Sequence, residues 1–202
     1  MRVLLPLAVV FLSGCAGGSP PPDWRLNSIA ALNSFQQNYL RGDTRAADVE
    51  FERAKSELRS TGDPALVARA ELVRCAARAA SLEFDGCPEF EKLRADAGAE
   101  ELAYYEFLSG RAERAPSEEP LSRMVSAGVN FKSGKITPES ISAALDIASA
   151  QGWRRPLLAW LGVQEKRAEA AGDRAALERI RRRLALVLGP GVAEERVQTL
   201  GK

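Results

Sequence analysis

From Trp24 to the end of the chain, apolar residues recur every three or four positions and hardly ever alternate with polar ones. That spacing places them on one side of a helix and is incompatible with half-buried strands. Ala, Leu, Arg and Glu dominate the same stretch, and all four are strong helix formers. The expected fold class is therefore all-α.

Breaks in the pattern divide it into elements. Ile29, Leu32, Phe35 and Tyr39 form a first stripe. Gly42-Asp43 interrupts the chain before a second stripe of Ala47, Phe51 and Ala54, which predicts a helical hairpin. Asp63-Pro64 opens a third helix, with Asp63 as cap and Pro64 at the first helical position. In this helix Leu66, Ala70, Val73 and Ala77 share one face, and Ala68, Leu72, Cys75, Ala79 and Leu82 share the opposite one. A helix apolar on two faces must be covered on both, so it is expected in the middle of the packing. Further starts fall at Pro88, at Ser117 ahead of Pro120, at Thr137-Pro138 and near Arg155-Pro156. The last helix carries Ala176, Ile180, Leu184, Val187 and Leu188 and stops at Gly189-Pro190, giving eight or nine helices in all.

The segment before Trp24 has a different character. Met1-Arg2 is followed by an apolar run from Val3 to Leu12, too short to span a bilayer as a helix but of the length of a secretory signal. It ends in Leu12-Ser13-Gly14-Cys15, which resembles the lipobox of bacterial lipoproteins. The resemblance implies removal of residues 1–14, lipidation of Cys15 and attachment to the cell envelope through acyl chains. Ala16 stands where Asp would favour inner-membrane retention in enterobacteria, so the outer membrane, with the domain facing the periplasm, is the expected address. Residues 15–23 then form the lipidated cysteine and a Gly/Pro-rich tether, and residues 24–202 a single domain.

Gly42-Asp43-Thr44-Arg45-Ala46-Ala47, continuing to Phe51 and Ala54, is similar to the second half of a tetratricopeptide repeat. Gly172-Asp173-Arg174-Ala175-Ala176 repeats its opening. The resemblance implies stacked antiparallel hairpins, as a tetratricopeptide-like solenoid or as an irregular helical bundle using the same turns. Laid on the repeat pattern, Ile29, Leu32, Gln36, Tyr39 and Leu40 would line a peptide-binding groove.

Composition decides much of the chemistry. The chain has no His, which removes the commonest general base and the usual partner of nucleophilic Ser and Cys. Its 28 Lys and Arg against 27 Asp and Glu leave no electrostatic footprint for nucleic acid. Loss of residues 1–15 takes Arg2 and no acid, so the remaining charges balance. No cofactor and no metal site are expected. With Cys15 lipidated, Cys75 and Cys87 remain as a pair in an oxidising compartment, and a structural disulfide is expected. Because Cys75 lies mid-helix, that bridge is expected to require an early helix end and a loop folding back.

Carboxylates offer a catalytic alternative. Glu139-Ser140 is similar to the Glu-Ser that carries the acid in lytic transglycosylases, but Glu139 is also where a helix dipole favours an acid. Glu100-Glu101, Glu118-Glu119 and the run Arg179, Arg181, Arg182, Arg183 read as solvated surface. The expected function is a non-enzymatic, lipid-anchored scaffold holding an envelope protein or peptide in secretion, pilus or envelope assembly. The alternative is a lipoprotein that acts on or binds peptidoglycan.

Overall fold

The computed structural model describes residues 20–114 and 117–189, and every regular element among them is helical. In chain order these are α1 (Asp23–Arg41), α2 (Thr44–Arg59), α3 (Pro64–Ala80), α4 (Pro88–Glu91), a 3₁₀ turn (Arg94–Asp96), α5 (Ala99–Leu108), α6 (Pro120–Lys132), α7 (Pro138–Ala150), α8 (Arg154–Ala171) and α9 (Arg174–Leu188). Residues 1–19, with the proposed signal, Cys15 and most of the tether, lie outside the described residues, as does Pro190.

Two hairpins close through the same turn. At the end of α1, Gly42 is left-handed (φ 94°), Asp43 N–H donates to the Asn38 carbonyl, and the Asp43 carboxylate accepts the Ala46 amide at 3.0 Å. At the end of α8, Gly172 has φ 67°, Asp173 N–H donates to Ala168, and the Asp173 carboxylate accepts Ala176 at 2.9 Å. Gly ends one helix and Asp starts the next, which reverses the chain in two residues.

The middle position of α3 follows from its two apolar faces. It packs against α1, α2, α4, α5 and α6. Val67, Ala68, Ala70, Leu72, Ala76, Ala77, Ala79 and Ala80 are all buried. Its Ala-rich surface allows close approach: the Gly128 Cα of α6 lies so near that an added Cβ would sit 2.1 Å from the Ala79 carbonyl oxygen. Trp160 of α8, fully buried, donates its indole N–H to the Ala80 carbonyl at 3.1 Å, satisfying a free carbonyl at the helix end. α8 also meets α1, so elements far apart in sequence are joined around the core.

Cys75 and Cys87 form a disulfide with Cα atoms 5.8 Å apart. α3 ends at Ala80, a turn past Cys75 but short of Leu82, which the periodicity assigns to its face and which lies in the turn that follows. The reversal is made wholly in the following loop, where Leu82 (φ 61°), Gly86 (φ 78°) and Cys87 (φ 57°) all adopt left-handed backbone. The bridge closes a separation of 12 residues, so replacing both cysteines by serine should lower unfolding free energy by about 3 kcal/mol. Urea unfolding of the double variant against the oxidised parent measures it.

The expected starts at Pro88, Thr137-Pro138 and near Arg155-Pro156 form, and the cap expected at Ser117 moves to Glu119. Pro88 begins only a single turn, and the longer helix starts at Ala99. Ser117 does not cap α6; Glu119 does, accepting the Leu121 and Ser122 amides at 2.9 and 2.7 Å ahead of Pro120. The last of the expected starts, near Arg155-Pro156, begins at Arg154.

Candidate functional site

Of the five residues expected to line a groove on α1, two are withdrawn into the core. Ile29 is 50% exposed, Leu32 and Gln36 are half-buried, and Tyr39 and Leu40 are sealed in the core at 7% and 1%. The residues follow a helical repeat, but Arg155 from the start of α8 covers only the end of their face that holds Tyr39. Its guanidinium lies 4.2 Å from the Tyr39 ring centre and donates to the Tyr39 carbonyl (2.8 Å), to Thr44 Oγ1 (2.5 Å) and to the Glu83 carboxylate (3.2 Å). Burial, with Glu83 close by, holds the Tyr39 phenol well above the ordinary tyrosine range. These are properties of a structural clamp, not of a peptide surface.

An open groove of about 910 Å³ lies instead between α7, α8 and α9. The Gly172-Asp173 turn lays α9 antiparallel to α8, and helical periodicity then brings Ala176, Arg179, Ile180 and Arg183 to the groove. Ile141 comes from α7 and Arg167 and Ala168 from α8. Ile141, Ala168 and Ile180 are buried, so the floor is apolar. A second hollow of about 530 Å³, lined by Phe131, Ile136, Leu158 and Val163, shares Ile141 and Arg167 with the first.

The basic run on α9 splits into two chemically different sets. Arg181 is bound by Glu165 at 3.0 Å and Glu169 at 2.8 Å, and Arg182 by Glu178 at 3.9 Å. Arg179 and Arg183, on the groove side, have no carboxylate of the described residues within ion-pair distance, nor has Arg167 opposite them. Glu139 on α7 is close enough for Arg167 to stabilise its negative charge, though not as an ion pair. A solvated face describes Arg181 and Arg182; Arg179 and Arg183 belong to a cationic wall. Their one-turn spacing was visible in the sequence, but the carboxylates that divert their neighbours come from α8 and from α9 itself.

The acidic candidates fall in separate places. Glu139 is held below the usual carboxylate range, first by its own backbone amide and then by Thr137, which also caps the Ser140 amide at 3.2 Å. Glu100 is exposed, whereas Glu101 is 8% exposed and is not solvated surface. Its carboxylate takes Arg69 Nε at 2.7 Å and lies close to the Gly98 backbone at the start of α5. Burial raises its affinity for a proton, but Arg69 and nearby backbone amides outweigh this and hold the carboxyl below the ordinary glutamate value. Glu118 and Glu119 are exposed, the latter serving as the α6 cap. No group of three or more metal-ligating side chains occurs among the described residues.

The Glu101 pair has a definite sign in pH. Its folded pKa is depressed, so its contribution is present above the unfolded glutamate pKa and lost as pH falls through the folded value. With Arg69 61% exposed, the pair is worth under about 1 kcal/mol. Arg69→Met is expected to lower the urea midpoint at pH 7 and to narrow the parent-to-variant difference at pH 3; midpoints at both pH values test it.

An ionic cluster centred on a buried carboxylate, unseen as such in the sequence, joins α2 to α3. Glu71, 2% exposed, pairs with Lys55 at 2.9 Å and Arg74 at 2.6 Å, and both cations lie over the Phe51 ring at 5.5 and 4.6 Å. No family model, curated protein or solved structure matches the chain. Among the described residues no helix is long and apolar enough to cross a membrane.

Proposed function

We propose that the chain is a lipid-anchored scaffold of the bacterial cell envelope, attached through Cys15 to the outer membrane, with its helical domain facing the periplasm and holding another protein or peptide without catalysing a reaction. The observation that carries the reading is the order Leu12-Ser13-Gly14-Cys15 directly after an apolar run and directly before a Gly/Pro tether. The open groove between α7, α8 and α9 supports a binding role, because it combines an apolar floor with a polar wall. The identical Gly-Asp turns of α1/α2 and α8/α9 support a domain assembled from tetratricopeptide-like hairpins. The contacts of α1 with α8 and of α3 with α6 favour the irregular-bundle form of that architecture, since a linear array pairs hairpins only with their neighbours.

The alternative, chemistry on peptidoglycan, needs a carboxyl kept protonated near neutral pH and a second carboxylate across a cleft. Glu139 is shifted in the opposite direction, and Glu101 is committed to Arg69. Labelling cells with an alkyne-bearing palmitate tests the anchor: the parent should incorporate label and pellet with membranes, and Cys15→Ala should do neither. In-cell crosslinking of the same two forms should yield one dominant envelope protein that is lost with the anchor. Recovery of muropeptides in place of protein would overturn the scaffold reading.

A further inference from the structure

We propose that the α7–α9 groove takes an acidic segment of the partner protein, with carboxylates seated on Arg179 and Arg183 and an apolar side chain resting on Ile141 and Ile180. This rests on the scaffold reading and names the chemistry of its partner. The argument is one of charge complementarity. Arginines on this surface that can find a carboxylate have done so: Arg181 bridges α9 to α8 through Glu165 and Glu169, and Arg182 takes Glu178 within α9. Arg179, Arg183 and Arg167 converge on a groove that presents them with none of the described carboxylates in ion-pair reach. The remaining acid of the lining, Asp173, is occupied by the Ala176 amide, and Glu139, which feels Arg167, is held by Thr137 and its own amide.

The spacing narrows the ligand further. Arg179 and Arg183 are one turn apart, a rise of about 6 Å along the helix. Alternate residues of an extended chain repeat at nearly the same interval, about 6.7 Å. A Glu-x-Glu segment lying along α9 therefore matches both guanidiniums at once, and each can grip its carboxylate through two N–H donors. Ala168, Ala171 and Ala176 leave room for a backbone to lie close to the helices.

The test uses the full-length lipidated protein in detergent and two labelled peptides, one of alternating Glu and Leu and one of alternating Gln and Leu, followed by fluorescence anisotropy. The acidic peptide should bind at least tenfold tighter, and the advantage should shrink as salt rises. The pair Arg179→Glu with Arg183→Glu should abolish that preference, while Arg182→Glu, on the exposed side of the same helix, should leave it intact. All three positions are exposed, and helicity by circular dichroism verifies that each variant is folded. Equal binding of the two peptides, or equal loss in Arg182→Glu, overturns the proposal. So does a gain in binding when residues 190–202 are removed, because the segment carrying Glu194 and Glu195 would then be the occupant, or a dimer by light scattering that the charge-reversed pair disperses. If peptide binding fails while palmitate labelling and crosslinking to an envelope protein persist, the groove assignment alone falls; if crosslinking also fails, the scaffold reading falls with it.

Discussion

Glu71→Ala should lower the unfolding free energy by about 3 kcal/mol, and combining Glu71→Leu with Lys55→Met should recover most of that loss. Glu71 sits on the central helix with 2% of its surface exposed, and Lys55, whose side chain is 10% exposed, reaches it from α2. Removing the carboxylate leaves the ammonium desolvated, with only Glu52 on its own helix at 3.5 Å, and a buried charge without its main partner is strongly unfavourable. Replacing both members by apolar residues of similar volume removes the desolvation cost along with the attraction. Arg74 can survive this change, because 29% of its side chain is in solvent and its guanidinium lies over Phe51. Urea unfolding of Glu71→Leu, Lys55→Met and the double variant measures the coupling. A coupling under about 0.5 kcal/mol would mean that the two sites act independently and that the pair is incidental to the α2–α3 contact.

The cluster illustrates what the sequence reveals and what it does not. The turns were legible, since Gly42-Asp43 and Gly172-Asp173 are local signals whose chemistry acts within a few residues. The central position of α3 was legible too, because two opposite Ala- and Leu-bearing faces leave no side for water. Charged residues between those faces carry no such signal. Glu71 and Arg78 look alike on a helical wheel, yet one is buried against α2 while the other reaches Asp85 in the disulfide loop. The α1 stripe is buried at Phe35 and Tyr39 but not at Ile29, for a related reason. Ile29 and Tyr39 share a periodicity, but burial depends on what lies opposite, and Arg155 covers only the end of the helix that holds Tyr39. The start of α5 was missed because Gly98 offers no capping side chain. The cationic groove needed three helices in place before Arg179 and Arg183 could be told from Arg181 and Arg182.

The two glycines inside helices should respond to alanine with opposite signs. In an exposed helix interior, Gly→Ala is stabilising by up to about 1 kcal/mol, because alanine restricts the unfolded chain and hides backbone from water. Gly162 in α8 is half-buried, but a Cβ built there has no neighbour within 4 Å, so Gly162→Ala should raise stability by up to this amount. At Gly128 the same methyl would lie 2.1 Å from the Ala79 carbonyl oxygen and 2.8 Å from its carbon. Neither atom can yield as a side chain does, because both belong to the backbone of the central helix. The adjoining Ala80 carbonyl is further tied to the Trp160 indole at 3.1 Å, so moving the end of α3 also disturbs α8. The helices must separate, which opens space around Met124 and Val125 on α6, both buried. Overpacking of this kind costs about 1–3 kcal/mol or more, so after the gain in helix propensity Gly128→Ala should still lose about 2 kcal/mol. Thermal and urea unfolding of both variants measures the contrast. A neutral Gly128→Ala would show that α3 and α6 slide apart freely and that their close approach does not hold the bundle together.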